Sequence, residues 1–304
     1  MTVALEADAP APSPPRGLRH AAARHPAALV AGGVLLALAA LAVLAPLVAP
    51  YSPTEQLYRS EGLAVCEQYA PGLRHPFGID ALCRDSLSRF LHGARISLAI
   101  GVFTQVVIVG IGLVIGGAAG LGRPWLDNLL MRFTDATYAF PDLLLILLMA
   151  SALRGSALGE WAGGTPAIFL AIGLVGWVTV ARLVRGQVLS LKSREFVVAA
   201  RALGASEARI FARHLLPSML GPVIVAATFG VPSAIFAEAA LSYIGIGARP
   251  PTPSWGVMVN DGYGVVLVSV WPVLFPAAGI ALTMLCFTVL GDALRAALDP
   301  RARR

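Results

Sequence analysis

Residues able to do acid–base, metal or nucleophilic chemistry are few and scattered in this chain. The five histidines (His20, His25, His75, His92, His214) have no ligand spacing, and no G-x-x-x-x-G-K-[ST] phosphate loop occurs, so ATP hydrolysis is not expected of the chain itself. Asp135 and Asp142 come nearest to a paired-carboxylate site. An acid inside an apolar stretch is by default a functional candidate, but Asp135 sits near the end of its stretch, where it can stay hydrated or pair with Arg132. The polar residues that do keep a pattern lie between Glu195 and Pro217, in EFVVAARALGASEARIFARHLLP. The chemistry such a segment offers is noncovalent. Its small residues suit a helix that seats closely in a partner groove, whereas Arg201, Arg209 and Arg213 suit a helix resting on anionic lipid.

Local rules give this segment its shape. Ala199, Ala200 and Ala202 favour helix and leave a low-profile face. Gly204 suits the position just past a helix end, where positive φ carries no Cβ penalty. Ser206 can cap the next helix and Glu207 falls in its first turn, favourably placed for the helix dipole. Arg209 and Arg213 share one face, while Ile210, Phe211 and Leu215 line another; Leu216-Pro217 then opens the next apolar run. The spacing therefore predicts two short helices hinged at a glycine.

The elements that must hold this segment are membrane helices. Hydrophobic residues make up 57% of the 304 residues and charged residues only 13%, against roughly a quarter in soluble domains. Six stretches approach or exceed the ~20 apolar residues needed to cross a bilayer: 27–48, 96–122, 134–153, 161–181, 215–237 and 264–290. All but the third are free of charged residues. The chain thus divides into a disordered tail (1–26), a first helix (27–48), a long loop (49–95), a five-helix core (96–292) carrying the polar loop 185–217, and a C-terminal tail (293–304). Of the 23 Lys and Arg residues, 16 fall on the side shared by both tails and the 182–214 loop. The positive-inside rule puts that side in the cytoplasm, and the net charge of +6 then speaks of topology and membrane lipid rather than nucleic acid.

In the 49–95 loop, Arg84, Asp85, Ser88, Arg89 and Arg95 alternate with Leu82, Leu87, Phe90 and Leu91, predicting an amphipathic helix that caps the bundle ahead of the second span. Cys66 and Cys83 share this loop, on the oxidising side, where a disulfide between them could persist; two unrelated thiols is the other reading. Cys286, in the last span, reads as a small apolar filler. Gly245–Gly256 is a Pro/Gly-rich ordered loop, with Tyr243 and Trp255 suited to the aromatic belt at the boundary. Gly112-x-x-x-Gly116 and Gly116-x-x-x-Gly120 allow close helix approach, whether to another subunit or within the bundle.

Several stretches carry a family resemblance. Val198-Ala199-Ala200, Gly204, His214 and Leu216-Pro217 keep the spacing of the coupling loop of ABC-importer permeases (Glu-Ala-Ala, Gly, Ile, Leu-Pro), with Val198 at the glutamate and His214 at the isoleucine. HPFGIDALCRDSLSRFLHGARISL (75–98) is similar to a stretch of the C-type permease subunits of dipeptide, oligopeptide and nickel importers, with Ile79 in place of Thr and Cys83 in place of Gly. ARLVRGQVLSLKSREFVVAARALGAS, AEAALSYIGIGARPPTPSWG and LGDALRAALDPR also resemble that family. The resemblance implies an all-α, MetI-like type I ABC-importer transmembrane domain in the cytoplasmic membrane, with both termini cytoplasmic. It further implies pairing with a homologous B-type permease, two ABC ATPase subunits or a fused pair that hold ATP and Mg, and an external substrate-binding protein. The chain itself would need no cofactor and hold no metal. Glu195, Ala199, Ala200, Arg201, Gly204 and Ser206 are expected to meet the ATPase, with Leu216 and Pro217 fixing the loop to the fifth helix. Peptide is the expected substrate, with glutathione-like peptides or nickel chelates the alternatives within the family. A secondary transporter or channel would instead need charged pairs or broken helices in the spans, and an intramembrane enzyme a catalytic constellation there.

Overall fold

Backbone groups in hydrocarbon have no water to bond, so apolar runs of this length must close their hydrogen bonds internally as helices. The computed structural model describes residues 26–62 and 66–298, and its long elements are all helical. They are α1 (Pro26–Val43), α2 (Ser86–Leu121), α3 (Pro124–Tyr138), α4 (Asp142–Arg154), α5 (Thr165–Leu191), α6 (Glu195–Ala202), α7 (Glu207–Tyr243), α8 (Trp255–Tyr263) and α9 (Trp271–Leu298). Five are long and apolar enough to cross a membrane, and α3 with α4 makes a sixth span, bent by 93°.

The centre of the bundle is the contact between α2 and α5. A Cβ on Gly112 would lie 2.6 Å from Val180, one on Gly116 2.8 Å from Val184, and one on Gly120 2.6 Å from Val188. The two helices therefore run parallel and in step every four residues, with the glycines letting the backbones close up. Small residues serve this purpose in lipid, where helices associate by packing rather than by the hydrophobic effect. The glycine stripe is thus filled from within the chain. Parallel neighbours need a return crossing between them, and α3–α4 supplies it. α1 packs on α9 and α2, and α7 packs on α2, α5 and α9.

The third expected span is not one helix. Pro141 has no N–H to donate and biases Phe140 away from helical geometry, so the chain turns at Ala139–Pro141 and Asp142 starts a new helix. Asp135 and Asp142 are thereby separated. Asp135 pairs with Arg182 of α5 at 2.7 Å, not with Arg132, and Asp127 binds Arg185 with two bonds of 2.6 and 2.7 Å.

The amphipathic segment expected ahead of the second span is instead its first turns. Asp85 caps α2 by accepting from the Ser88 N–H at 2.7 Å, so the helix starts at Ser86 and runs 36 residues. Its polar face turns inward. Arg84 and Arg89 are buried between Asp80 and Asp261 of α8, and His75 lies 2.9 Å from the Asp85 carboxylate. Residues 49–62 and 66–85 form an ordered cap with its own small core of Leu57, Ile79 and Cys83, and Phe77 stacks on Phe275 of α9 at 4.0 Å. Within it the Tyr51 hydroxyl donates to Glu61 at 2.8 Å, holding that carboxylate below its usual range.

Cys66 and Cys83 are joined by a disulfide with their Cα atoms 4.7 Å apart. Cys83 is the one non-glycine with positive φ (62°) among the described residues, at the position where the resembling pattern has glycine.

The remaining differences have local causes. The last span starts at Trp271, where Pro272 suits a first helical turn, leaving 264–270 as turns. It continues through Ala-rich sequence to Leu298, into the expected tail, whose residues 299–304, like 1–25, lie outside the described ones. Trp255 is fully buried within the protein and does not face lipid: its ring stacks on Phe90 and its indole N–H donates to the Phe90 carbonyl at 3.1 Å.

Two outcomes test this packing. Gly116→Leu should cost about 3 kcal/mol or more by overpacking the seam, whereas Gly110→Ala, with open space around it, should melt like the parent protein in detergent. Cys66→Ser alone should lower the melting temperature and speed proteolysis of the 49–85 cap. Cys66→Ser with Cys83→Gly should recover about 1 kcal/mol, because glycine takes the positive φ without penalty.

Candidate functional site

The segment between Glu195 and Pro217 forms an elbow at one end of the bundle. Its first arm is α6, with Glu195 in the first turn. Val197 is fully buried and Ala200 half-buried against Val184 and Val188 of α5 and Ile210, Leu215 and Met219 of α7. The helix ends in a Schellman turn: the Ala205 N–H donates to the Ala200 carbonyl at 3.1 Å and the Gly204 N–H to that of Arg201 at 3.0 Å. Gly204 has φ 82° with nothing near its Cβ position, so it is required for its backbone and not for space. Ser206 then caps α7, accepting from the Arg209 N–H at 3.4 Å.

A guanidinium–carboxylate pair spans the turn. Arg201 Nε donates to Glu207 at 2.8 Å and its Nη2 at 3.1 Å, which raises the Arg201 pKa further. Both side chains are exposed, so the pair contributes little to stability while bridging the two arms.

The second arm differs from the expected free-standing helix. Residues 207–215 are the base of α7 itself, entered through a π-turn at Phe211–Leu215, where the Leu216 N–H reaches back to the Phe211 carbonyl. Pro217 is the cause: its ring would collide with the carbonyl four residues earlier in a regular helix, and one extra residue per turn relieves it. Pro217 thus lies in the first turn of the α-helical stretch Leu216–Tyr243, where the sequence placed it, while the helix as a whole already begins at Glu207. The Phe211 ring packs over Gly117 of α2, where a Cβ would stand 2.7 Å away.

The structure brings Glu195, Ala199, Arg201, Gly204 and Ser206 together on the exposed side of the elbow. Ala200 and Leu216 turn inward and Pro217 is exposed beside the π-turn. Arg201 is already engaged by Glu207. Sequence reasoning missed three apolar side chains on the open side: Phe196 (44% exposed), Val198 (53%) and Leu203 (88%). Phe196, Ala199 and Leu203 follow i, i+3, i+7 spacing, so their stripe was visible in the sequence, whereas Val198 lies about 200° around the helix from Phe196, on a separate face. The alternative stripe of Val197, Ala200 and Gly204 was equally visible, and only packing decides which one faces the bundle.

Up to six helical crossings with an ordered elbow at one end and an ordered cap at the other define a polytopic membrane protein. A family model described as "Binding-protein-dependent transport system inner membrane component" matches residues 110–304, and one described as "N-terminal TM domain of oligopeptide transport permease C" matches residues 19–68. The chain belongs to this family of ABC-importer permeases, as a C-type subunit. It is 42% identical over 272 residues to the dipeptide transport system permease protein DppC of Bacillus subtilis, covering 89% of this chain and 81% of that protein. It is 38% identical over 271 residues to the oligopeptide permease OppC of the same organism, covering 89% and 84%. With the glutathione permease GsiD of Salmonella typhimurium it shares 39% over 280 residues, covering 92% and 88%. Among solved structures it resembles a chain of the MetNI methionine ABC transporter in inward-facing conformations, with TM-score 0.56, 20% identity, and 70% and 98% of the two chains covered. That likeness bears on fold alone, and the fold is that of a type I ABC-importer transmembrane domain.

At Gly204 the turn geometry gives an ordered series. Gly204→Val should cost about 1–2 kcal/mol at the turn by forcing a branched residue to positive φ, with faster amide exchange in α6 and loss of transport. Gly204→Asn, which tolerates that conformation, should stay close to the parent in both measurements.

Proposed function

We propose that this chain is the C-type permease subunit of a peptide importer, and that the elbow is where an ABC ATPase subunit docks. Its identity to the dipeptide permease across nearly the whole chain carries the substrate class; relatives named for oligopeptides and glutathione widen it to short peptides generally. A B-type permease would complete the path, two ATPase subunits or a fused pair would hold ATP and Mg, and an external binding protein would deliver peptide to the capped end. No covalent chemistry falls to this chain. Its contribution is to transmit ATPase closure along helices that line the path.

Exposed apolar side chains on a segment outside the spans support the docking reading. Phe196, Val198 and Leu203 offer a contact surface that needs burial, and Val198 takes the position of the family glutamate. The grip is then apolar and shape-based where relatives use a carboxylate. Lipid headgroups lose one of the three arginines that would suit them, because Arg201 is paired with Glu207.

The orientation, elbow inside and cap outside, gains support from the buried arginines. Arg84 and Arg89 lie on the capped side but are paired with Asp80 and Asp261, so they add little free positive charge there. The bent α3–α4 span and the Asp135–Arg182 and Asp127–Arg185 pairs are features an ATPase-independent transporter would also carry. Family membership favours the importer, and uptake into proteoliposomes lacking ATPase subunits would favour the rival.

Leu203→Asp tests the docking surface. It should leave membrane insertion and the melting temperature unchanged but reduce ATPase co-purification at least about tenfold, as expected when an anchor residue is lost. Normal co-purification and uptake by that variant would move the docking site elsewhere.

A further inference from the structure

The fifth expected span stops at Ala237, but α7 continues to Tyr243 and carries Glu238, whose side chain is fully buried. Its partners among the described residues are three serine hydroxyls and no basic group. Ser242 and Ser254 each donate to one carboxyl oxygen at 2.7 Å, and Ser97 of α2 lies 3.4 Å from the other. Two of these serines pass the connection on. Ser97 Oγ accepts the Trp255 N–H at 3.1 Å, and Ser254 Oγ caps α8 by accepting the Val257 N–H at 3.1 Å. The surrounding backbone is closed up to match: a Cβ on Gly256 would stand 2.6 Å from Ala239, and one on Gly93 3.3 Å from Ser254. One carboxyl thus fastens three elements, α2, α7 and the start of α8. The far end of α8 is held separately, by Asp261 on Arg84 and Arg89 at 2.9 Å each.

Glu238 shares a single helix with the elbow. α7 is 37 residues long and begins at Glu207, inside the turn clasp, so one helix joins the elbow to Glu238, although Pro217, Pro222 and Pro232 each remove a backbone hydrogen bond along it. A lever transmits only if its far end is attached. We propose that Glu238 is a positioning residue for transport, latching the capped-side end of α7 to α2 and α8 so that this end moves as one block when the elbow moves. The inference builds on the importer reading. The chemistry it requires is hydroxyl acceptance by the side chain at 238, which glutamine can also supply.

The test uses the complete transporter, this chain with its partner permease, ATPase subunits and binding protein, in proteoliposomes. Uptake of a dipeptide and ATP hydrolysis are measured together. ATP-dependent uptake by the parent checks the importer reading separately from the latch. Glu238→Gln should retain at least about half the parent's uptake per ATP, and Glu238→Ala should lose about tenfold, the scale of a lost buried hydrogen-bond set. In the alanine variant ATP hydrolysis should stay within about twofold of the parent, since the elbow is intact. Parental uptake per ATP in Glu238→Ala would overturn the proposal. So would equal failure of the glutamine variant, or hydrolysis falling in step with uptake. If Glu238→Ala does not assemble, Ser97→Ala with Ser254→Ala decides: reduced uptake per ATP supports the latch, and parental uptake per ATP overturns it.

Discussion

The distance between α2 and α5 governs the rest of this molecule. Glycine on one helix meets valine on the other at four-residue steps, from Gly112–Val180 to Gly120–Val188. In lipid, where apolar side chains gain nothing by leaving solvent, such close backbone approach is what makes two helices prefer each other to the bilayer. Because the pair is parallel, a return crossing must lie between them, and it is α3–α4 that bends at Pro141 to make it. α5 becomes the best-enclosed helix of the chain, and its lower turns, Val184 and Val188, form the floor on which the elbow is seated.

The elbow is therefore part of the bundle's packing as much as it is a loop. Val197 and Ala200 are anchored in the same apolar cluster as Ile210 and Leu215, so α6 cannot tilt without disturbing α5 and α7. Pro217 makes this joint more continuous, not less. The π-turn that accommodates it lets the helix pass through a proline without a break, at the point where Phe211 covers Gly117 of α2. A small change of angle at the Schellman turn is thereby carried into a membrane-crossing helix.

At the other end, buried polar groups fasten elements to one another. Asp80, Arg84, Arg89 and Asp261 make a buried network between the cap and α8, and Glu238 gathers serines from α2, from the loop before α8 and from its own helix. Breaking one member of such a network leaves the others buried and unpaired, which costs more than the bond itself. The inward turn of Arg84 and Arg89 also explains why hydropathy misjudged this stretch. Helical alternation shows that two faces differ, but an ordered cap reverses which face is inside.

The sequence by itself determined that the chain crosses a membrane in helices, roughly where, and that Glu195–Pro217 ends a helix at Gly204 and restarts at Ser206. These are local properties, since bilayer thickness sets the length of apolar runs and caps act within one turn. Spacing also made the family pattern readable, including the departures at Val198 and Cys83. Tertiary structure alone decided that Trp255 is core and that Glu238 is bonded by serines 16 and 141 residues away. It also decided that Phe196 and Leu203, and not Val197 and Ala200, are left open. The physical reason is common to all of these. A helix presents several faces by its own periodicity, and only the neighbours brought to it by the rest of the chain choose which one is buried.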